Sequence, residues 1–284
     1  MSRFLDDIKK FVDSQPFDII RISEYRDGKI ETLEYKEENP CQNVYSVAKT
    51  FTMTAIGMLW DRGLVSLDSR ITDLFKEEFP AEADSRWQTA TVRHALTHSL
   101  GLPGGFLDID THHASEFGKD FLDYTFRYPL EYTPGENSAY SDGAYYILAR
   151  IVEKISGMPL DNFMWENLLT KIGCREMAWS HCPMGHVIGA TGLYIGSEDM
   201  AKLGAVYLNK GMYEGERILS EKWVETAVSE EFALDWDETR TVYSKGGMRG
   251  QRLIIDPVNR RVAALESFGA DSNKILEFTR DYKD

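Results

Sequence analysis

The sequence predicts an α+β fold, in which an antiparallel sheet built from both chain termini is flanked by helices and a mostly helical lobe is inserted between its halves. Three observations carry this expectation. Strand-like runs bounded by turn residues lie near the two ends, a long apolar helical segment follows the first pair of strands, and residues 68–182 read mostly as helix.

In chain order, residues 4–12 form an amphipathic helix, and residues 18–24 and 29–35 are strands. Between the strands lies Arg26-Asp27-Gly28, and Asp-Gly between alternating segments is a strong hairpin signal. Residues 46–60 carry Phe51, Met53, Ala55, Ile56, Met58 and Leu59. A segment apolar nearly all round predicts a buried central helix, here ending near Gly63. The helical stretch 68–182 is interrupted by loops at 101–105 and at Pro134-Gly135, and contains an apolar helix at 144–155. Strand character returns at 241–245, 251–256 and 261–267, and a helix from about Asp271 closes the chain. The expected organisation is one domain over 1–284. Its sheet lobe would be 1–65 plus 183–284, and its helical lobe 66–182.

The chain has 284 residues, 43% apolar and 27% charged, enough for a full hydrophobic core. A net charge of −14 argues against a nucleic-acid partner or an anionic membrane surface, since both need clustered Lys and Arg. Residues 1–10 read MSRFLDDIKK, with acids where a signal peptide needs apolar residues, so a cytoplasmic protein is expected. Cys41, Cys174 and Cys182 are odd in number and form no Cys-x-x-Cys pair, which implies reduced thiols.

The chemistry is read from Ser46-Val47-Ala48-Lys49 at the head of the apolar helix. Positions i and i+3 share a helical face, so the serine hydroxyl and lysine amine fall within hydrogen-bond reach. The helix N-terminus adds backbone N–H groups where an oxyanion would form. An isolated Ser-x-x-Lys recurs by chance in chains this long, so the remaining parts of a nucleophilic site have to be found elsewhere. Two stretches supply them. Tyr132-Thr-Pro-Gly-Glu-Asn-Ser-Ala-Tyr140-Ser141-Asp142-Gly143 leads into the helix at 144–155, and Lys245-Gly246-Gly247 ends a strand before Met248-Arg249-Gly250-Gln251.

With these three motifs in order, the chain resembles the serine β-lactamase and penicillin-binding-protein superfamily, and within it the class C type that includes D-peptidases and esterases. Thr97-His98-Ser99-Leu100-Gly101-Leu102-Pro103 is similar to that family's Thr-His-Thr-Ser-Gly-Leu-Pro loop. Pro134-Gly135, Gly192-Leu193, 199–203 and 211–215 add to the likeness. A class A register, with Ser141-Asp142-Gly143 as its second motif and Glu166 as second base, fits less well. The Pro-Gly turn and the tyrosine before Ser141 match class C, and Glu166 reads as a solvated helix position.

The resemblance implies a serine hydrolase that forms an acyl-enzyme on Ser46, with Lys49 and Tyr140 sharing proton transfer. Backbone N–H groups of Ser46 and Met248 would hold the oxyanion. Lys245, with Gly246, Gly247, Met248 and Arg249, would orient a small ester or amide substrate carrying a carboxylate. No cofactor or metal is implied. Asp142 departs from the family's Asn: a carboxylate only accepts hydrogen bonds, and its charge opposes a phenolate nearby. It would favour activated esters over β-lactam amides, or recognise a cationic group such as a D-amino acid amine. The alternative is a catalytically silent protein that keeps the fold and binds ligand without turnover.

Other signals are set aside. His94 and His98 are spaced i and i+4, like a zinc pair on one helical face, but lack a metalloprotease glutamate and read as structural. His181, Cys182 and His186 lack a fourth ligand, and His112-His113 reads as exposed loop.

Overall fold

Ser2 caps the first helix, its hydroxyl accepting from the Leu5 N–H, and Phe4, Leu5, Ile8 and Val12 put one apolar stripe of Arg3–Asp13 into the core. In the computed structural model, which describes residues 1–37 and 39–283, this stripe packs with Ile19, Ile22, Leu33, Ile254, Leu265 and Ile275. Burying each such side chain stabilises the fold by about 1.5–3 kcal/mol.

The sheet beneath it has six strands in the order Lys29–Glu34, Asp18–Arg26, Arg261–Gly269, Arg252–Asp256, Tyr243–Gly246 and Asp235–Trp236, with neighbouring strands antiparallel. Both termini therefore build one sheet, as the sequence predicts. Asp27 and Gly28, both at positive φ, make the tight turn of the first hairpin. Asp271 caps the last helix, Ser272–Asp281. The helix Ser197–Leu208 covers the opposite sheet face, so close that a Cβ on Gly204 would come within 2.5 Å of Val262. The long strand Arg261–Gly269 is buried from 261 to 267 and carries an unbroken apolar run at 262–265, as a strand covered on both faces does. An ion pair pins the two termini: fully buried Arg261 donates to Glu24 at 2.6 Å beneath the rings of Phe4 and Tyr282.

The chain forms two compact units. The first comprises 1–50, 166–178 and 193–284, and the second 51–165 and 179–192. Within the second, the helices are Ile71–Leu74, Val92–Leu96, Phe121–Arg127, Asp142–Ser156 and Leu160–Met164, with the C-terminal eleven residues of Ala48–Asp61. Most are one or two turns long, so the expectation of a mostly helical 68–182 is met only in part. Fresh caps at Thr91 and Asp120, and left-handed glycines at 101, 105, 118 and 135, break the chain into turns. Phe75, Phe79, Trp87 and Phe126 cluster in this unit's core. Among the described residues, no helix is long and apolar enough to cross a membrane.

Candidate active site

The first unit carries the nucleophile motif. Ser46 lies in a 3-10 turn, Tyr45–Val47, that feeds the helix Ala48–Asp61, so the helix starts two residues later than its pattern suggests. Tyr45 is held at φ +47, a left-handed conformation costly for a side chain of its size. Two bonds fix it: the Tyr45 N–H donates to Asn43 Oδ1 at 2.9 Å, and the Val44 N–H to the Leu193 carbonyl at 2.8 Å. Lys49, 0% exposed, donates from Nζ to Ser46 Oγ at 3.2 Å.

The third motif belongs to the same unit. Lys245, buried at the end of Tyr243–Gly246, has Nζ 3.4 Å from Asp235 Oδ2 on the neighbouring strand. Gly247 has no room for a side chain, because a Cβ would lie 2.5 Å from the Val44 carbonyl and 3.3 Å from Tyr45 Cβ. The backbone of the third motif thus touches the turn that presents Ser46. Met248 is exposed, and Arg249, at φ +60, offers its carbonyl to Ser267 Oγ at 2.5 Å while its side chain faces solvent.

The second unit carries Tyr140 and Asp142. Tyr140 is 44% exposed on the loop before the helix Asp142–Ser156, and its carbonyl accepts from the Gly105 N–H at 2.8 Å. The Asp142 and Gly143 N–H groups both donate to the Phe106 carbonyl, at 3.0 and 3.2 Å. Gly143 is required there, since a Cβ would meet the Phe106 ring at 2.6 Å. Asp142 is buried, and its carboxylate lies with those of Asp108 and Asp110, one oxygen of each within 4.8 Å of the others. Asp110 also accepts from Thr191 Oγ1 at 2.5 Å and donates its N–H to Asp108 Oδ1 at 3.0 Å. Among the described residues these three carboxylates are the one group that could hold a metal ion, and they concentrate negative charge suited to any cation. Sequence reasoning had not singled out Asp108 and Asp110; only folding of the loop brings them to Asp142.

His98 was expected beside His94 on one helical face. That helix ends at Leu96, and His98, at φ +54, lies beyond it. The two histidines do different things. His94 Nδ1 accepts from the Thr91 N–H at 3.3 Å, whereas His98 Nδ1 accepts from Ser141 N–H at 3.2 Å and its ring lies 4.3 Å from that of Tyr140. The sequence signal for His98 was its family-like loop.

His181 faces Asp161, His186 faces Glu153, and Tyr146 donates to Cys182 Sγ. His112, His113 and Glu166 are exposed, and the three cysteines are unbridged. A cavity of about 360 Å³ in the first unit, edged by Arg21, Cys41, Arg175 and Asp199, includes none of the predicted site residues.

The profile of the β-lactamase family matches residues 35–281. Penicillin-binding protein 4 of Amycolatopsis lactamdurans is 30% identical over 131 residues, covering 46% of this chain and 34% of its own. An N-acetylmuramyl-L-alanine amidase of Bacillus subtilis (strain 168) is 24% identical over 233 residues, covering 58% and 53%. The chain thus spans between a third and about half of the length of these curated relatives. Among solved structures, the octameric penicillin-binding protein homologue from Pyrococcus abyssi shares the fold with TM-score 0.76 and 19% identity, over 98% of this chain and 76% of that one. EstCE1, a hydrolase with promiscuous acyltransferase activity, has TM-score 0.73 and 15% identity over 98% and 97%.

Proposed function

The chain belongs to the β-lactamase family, and from that premise we propose that it is a serine hydrolase forming an acyl-enzyme on Ser46 from small ester or amide substrates. The observation that carries this reading is the fully buried Lys49 amine 3.2 Å from Ser46 Oγ. In the proposed reaction Ser46 Oγ bonds to the substrate carbonyl carbon and gives its proton to the Lys49 amine or the Tyr140 phenolate. Backbone N–H groups of Ser46 and Met248 receive the oxyanion. Collapse of the tetrahedral intermediate expels the alcohol or amine, which takes that proton, and water then releases the acid and regenerates Ser46. Lys245, Gly246, Gly247, Met248 and Arg249 would receive the substrate's carboxylate end.

Intact mass tests this directly. The protein is incubated with a p-nitrophenyl ester and, separately, a fluorescent penicillin, with released chromophore recorded. A Ser46 adduct or turnover, absent in Ser46→Ala, is the expected result. No adduct and no turnover with either reagent would leave the silent ligand-binding reading in place.

The cluster of Asp142 with Asp108 and Asp110 favours a finer reading, in which the substrate carries a cationic amine. Asp142→Asn is then expected to slow aminoacyl esters relative to uncharged ones. It should also speed penicillin turnover about tenfold, because an asparagine amide can donate to a substrate carbonyl where a carboxylate only accepts. Identical profiles for wild type and variant, with both ester classes, would sink that role for Asp142.

A further inference from the structure

His98 brackets Tyr140 on both sides in sequence. Its carbonyl accepts from the Ala139 N–H at 2.9 Å and its ring Nδ1 from the Ser141 N–H at 3.2 Å, so the residues before and after Tyr140 hang on one side chain and its own backbone. The left-handed φ of +54 at His98 accompanies this double grip, a conformation uncommon outside glycine that histidine adopts more readily than most residues. Its neighbours extend the same seam. The Thr97 carbonyl accepts from Ser138 Oγ at 2.9 Å, and the Ser99 carbonyl from the Gly135 N–H at 2.8 Å.

The imidazole is also the middle layer of a stack. Its centroid lies 4.3 Å from the Tyr140 ring at 33° and 5.0 Å from the Tyr145 ring at 35°. Tyr145 is fully buried on the helix Asp142–Ser156 and donates its hydroxyl to the Leu96 carbonyl at 3.1 Å. The half-exposed Tyr140 ring is therefore tied through His98 to a rigid helix. In accepting from a backbone N–H, the ring uses its Nδ1 lone pair.

We propose that His98 is the positioning residue for Tyr140, fixing the direction of the phenol by gripping Ala139 and Ser141 and stacking against its ring. The proposal rests on the proton-transfer role given to Tyr140 above. Displacing a reacting group by about 1 Å costs on the order of a hundredfold in rate.

The test uses His98→Ala, His98→Asn, Tyr140→Phe and the double variant His98→Ala/Tyr140→Phe, each checked by thermal unfolding. Asn is the conservative variant, since its Oδ1 offers an acceptor close to where Nδ1 stands. His98→Ala is expected to lower kcat for the p-nitrophenyl ester by about 10²-fold with KM changed less than threefold, and His98→Asn to recover at least a tenth of the wild-type rate. Adding His98→Ala to Tyr140→Phe should cost nothing further, because a device that aims a phenol has nothing left to aim. Additive losses, or equal rates for the Ala and Asn variants, would overturn the proposal. Hydrogen exchange of the peptide covering 138–142 reports independently of turnover. It should speed in His98→Ala and slow again in His98→Asn, and unchanged exchange would overturn the grip itself. A wild type with no Ser46-dependent turnover but with this exchange pattern would refute the hydrolase reading and leave the grip standing.

Discussion

Lys49→Met is expected to slow acylation of Ser46 about 10³-fold while leaving the urea midpoint close to that of wild type. General acid–base groups contribute about 10²–10⁴-fold, and the Lys49 amine stands 3.2 Å from Ser46 Oγ. Methionine fills nearly the same volume with a flexible unbranched chain, so packing around the fully buried position is kept. Rate and stability should therefore part company. The measurement is the pseudo-first-order rate of ester burst release together with the urea midpoint, with Ser46→Ala as the blank. A loss of less than tenfold would remove Lys49 from the proton-transfer role. A large loss accompanied by a collapsed midpoint would assign the effect to folding instead.

How far the sequence reached depended on whether the controlling forces were local. The Asp27-Gly28 turn, the stripe at Phe4, Ile8 and Val12, and the apolar run 262–265 are each written in nearby residues, so the sheet built from both termini was legible. Burial of Lys49 was legible only through its helix, apolar nearly all round, and the two-residue delay before that helix reflects the strained Tyr45, which no pattern announces. The second unit was less legible because short helices carry few turns of periodicity, and their ends are set by capping side chains and glycines at positive φ. Misreading His98 has the same origin: its i, i+4 spacing from His94 means a shared face only if the helix continues, and it stops at Leu96. The meeting of Asp108 and Asp110 with Asp142 is tertiary, set by the Phe106 carbonyl accepting from two N–H groups at the start of the later helix.

Stability should fall as pH rises from about 5 to about 8, and Glu266→Gln should remove most of that slope. Glu266 is fully buried on the strand Arg261–Gly269, and burial pushes its carboxyl from the ordinary 4.5 up to about 8. Arg21, whose guanidinium lies 4.0 Å away, pulls the other way, and so does the Ser197 backbone, while Glu198 and Asp199 in the first turn of the covering helix push it higher. Arg21 compensates only in part, being shared with Glu34 at 3.0 Å. The sign follows from linkage. Below pH 4.5 folded and unfolded chains both hold the proton. Between 4.5 and 8 the unfolded chain releases it while the folded one keeps it, so each rise in pH favours unfolding, and above 8 the loss levels off. The full contribution is on the order of 4–5 kcal/mol, a large part of the stability of an ordinary domain. Urea midpoints measured from pH 5 to pH 9 would show wild type losing stability across that window, with the Gln variant nearly flat. Parallel curves for the two proteins would mean that Glu266 is ionised in the folded state throughout, with Arg21 and the helix N-terminus offsetting its burial.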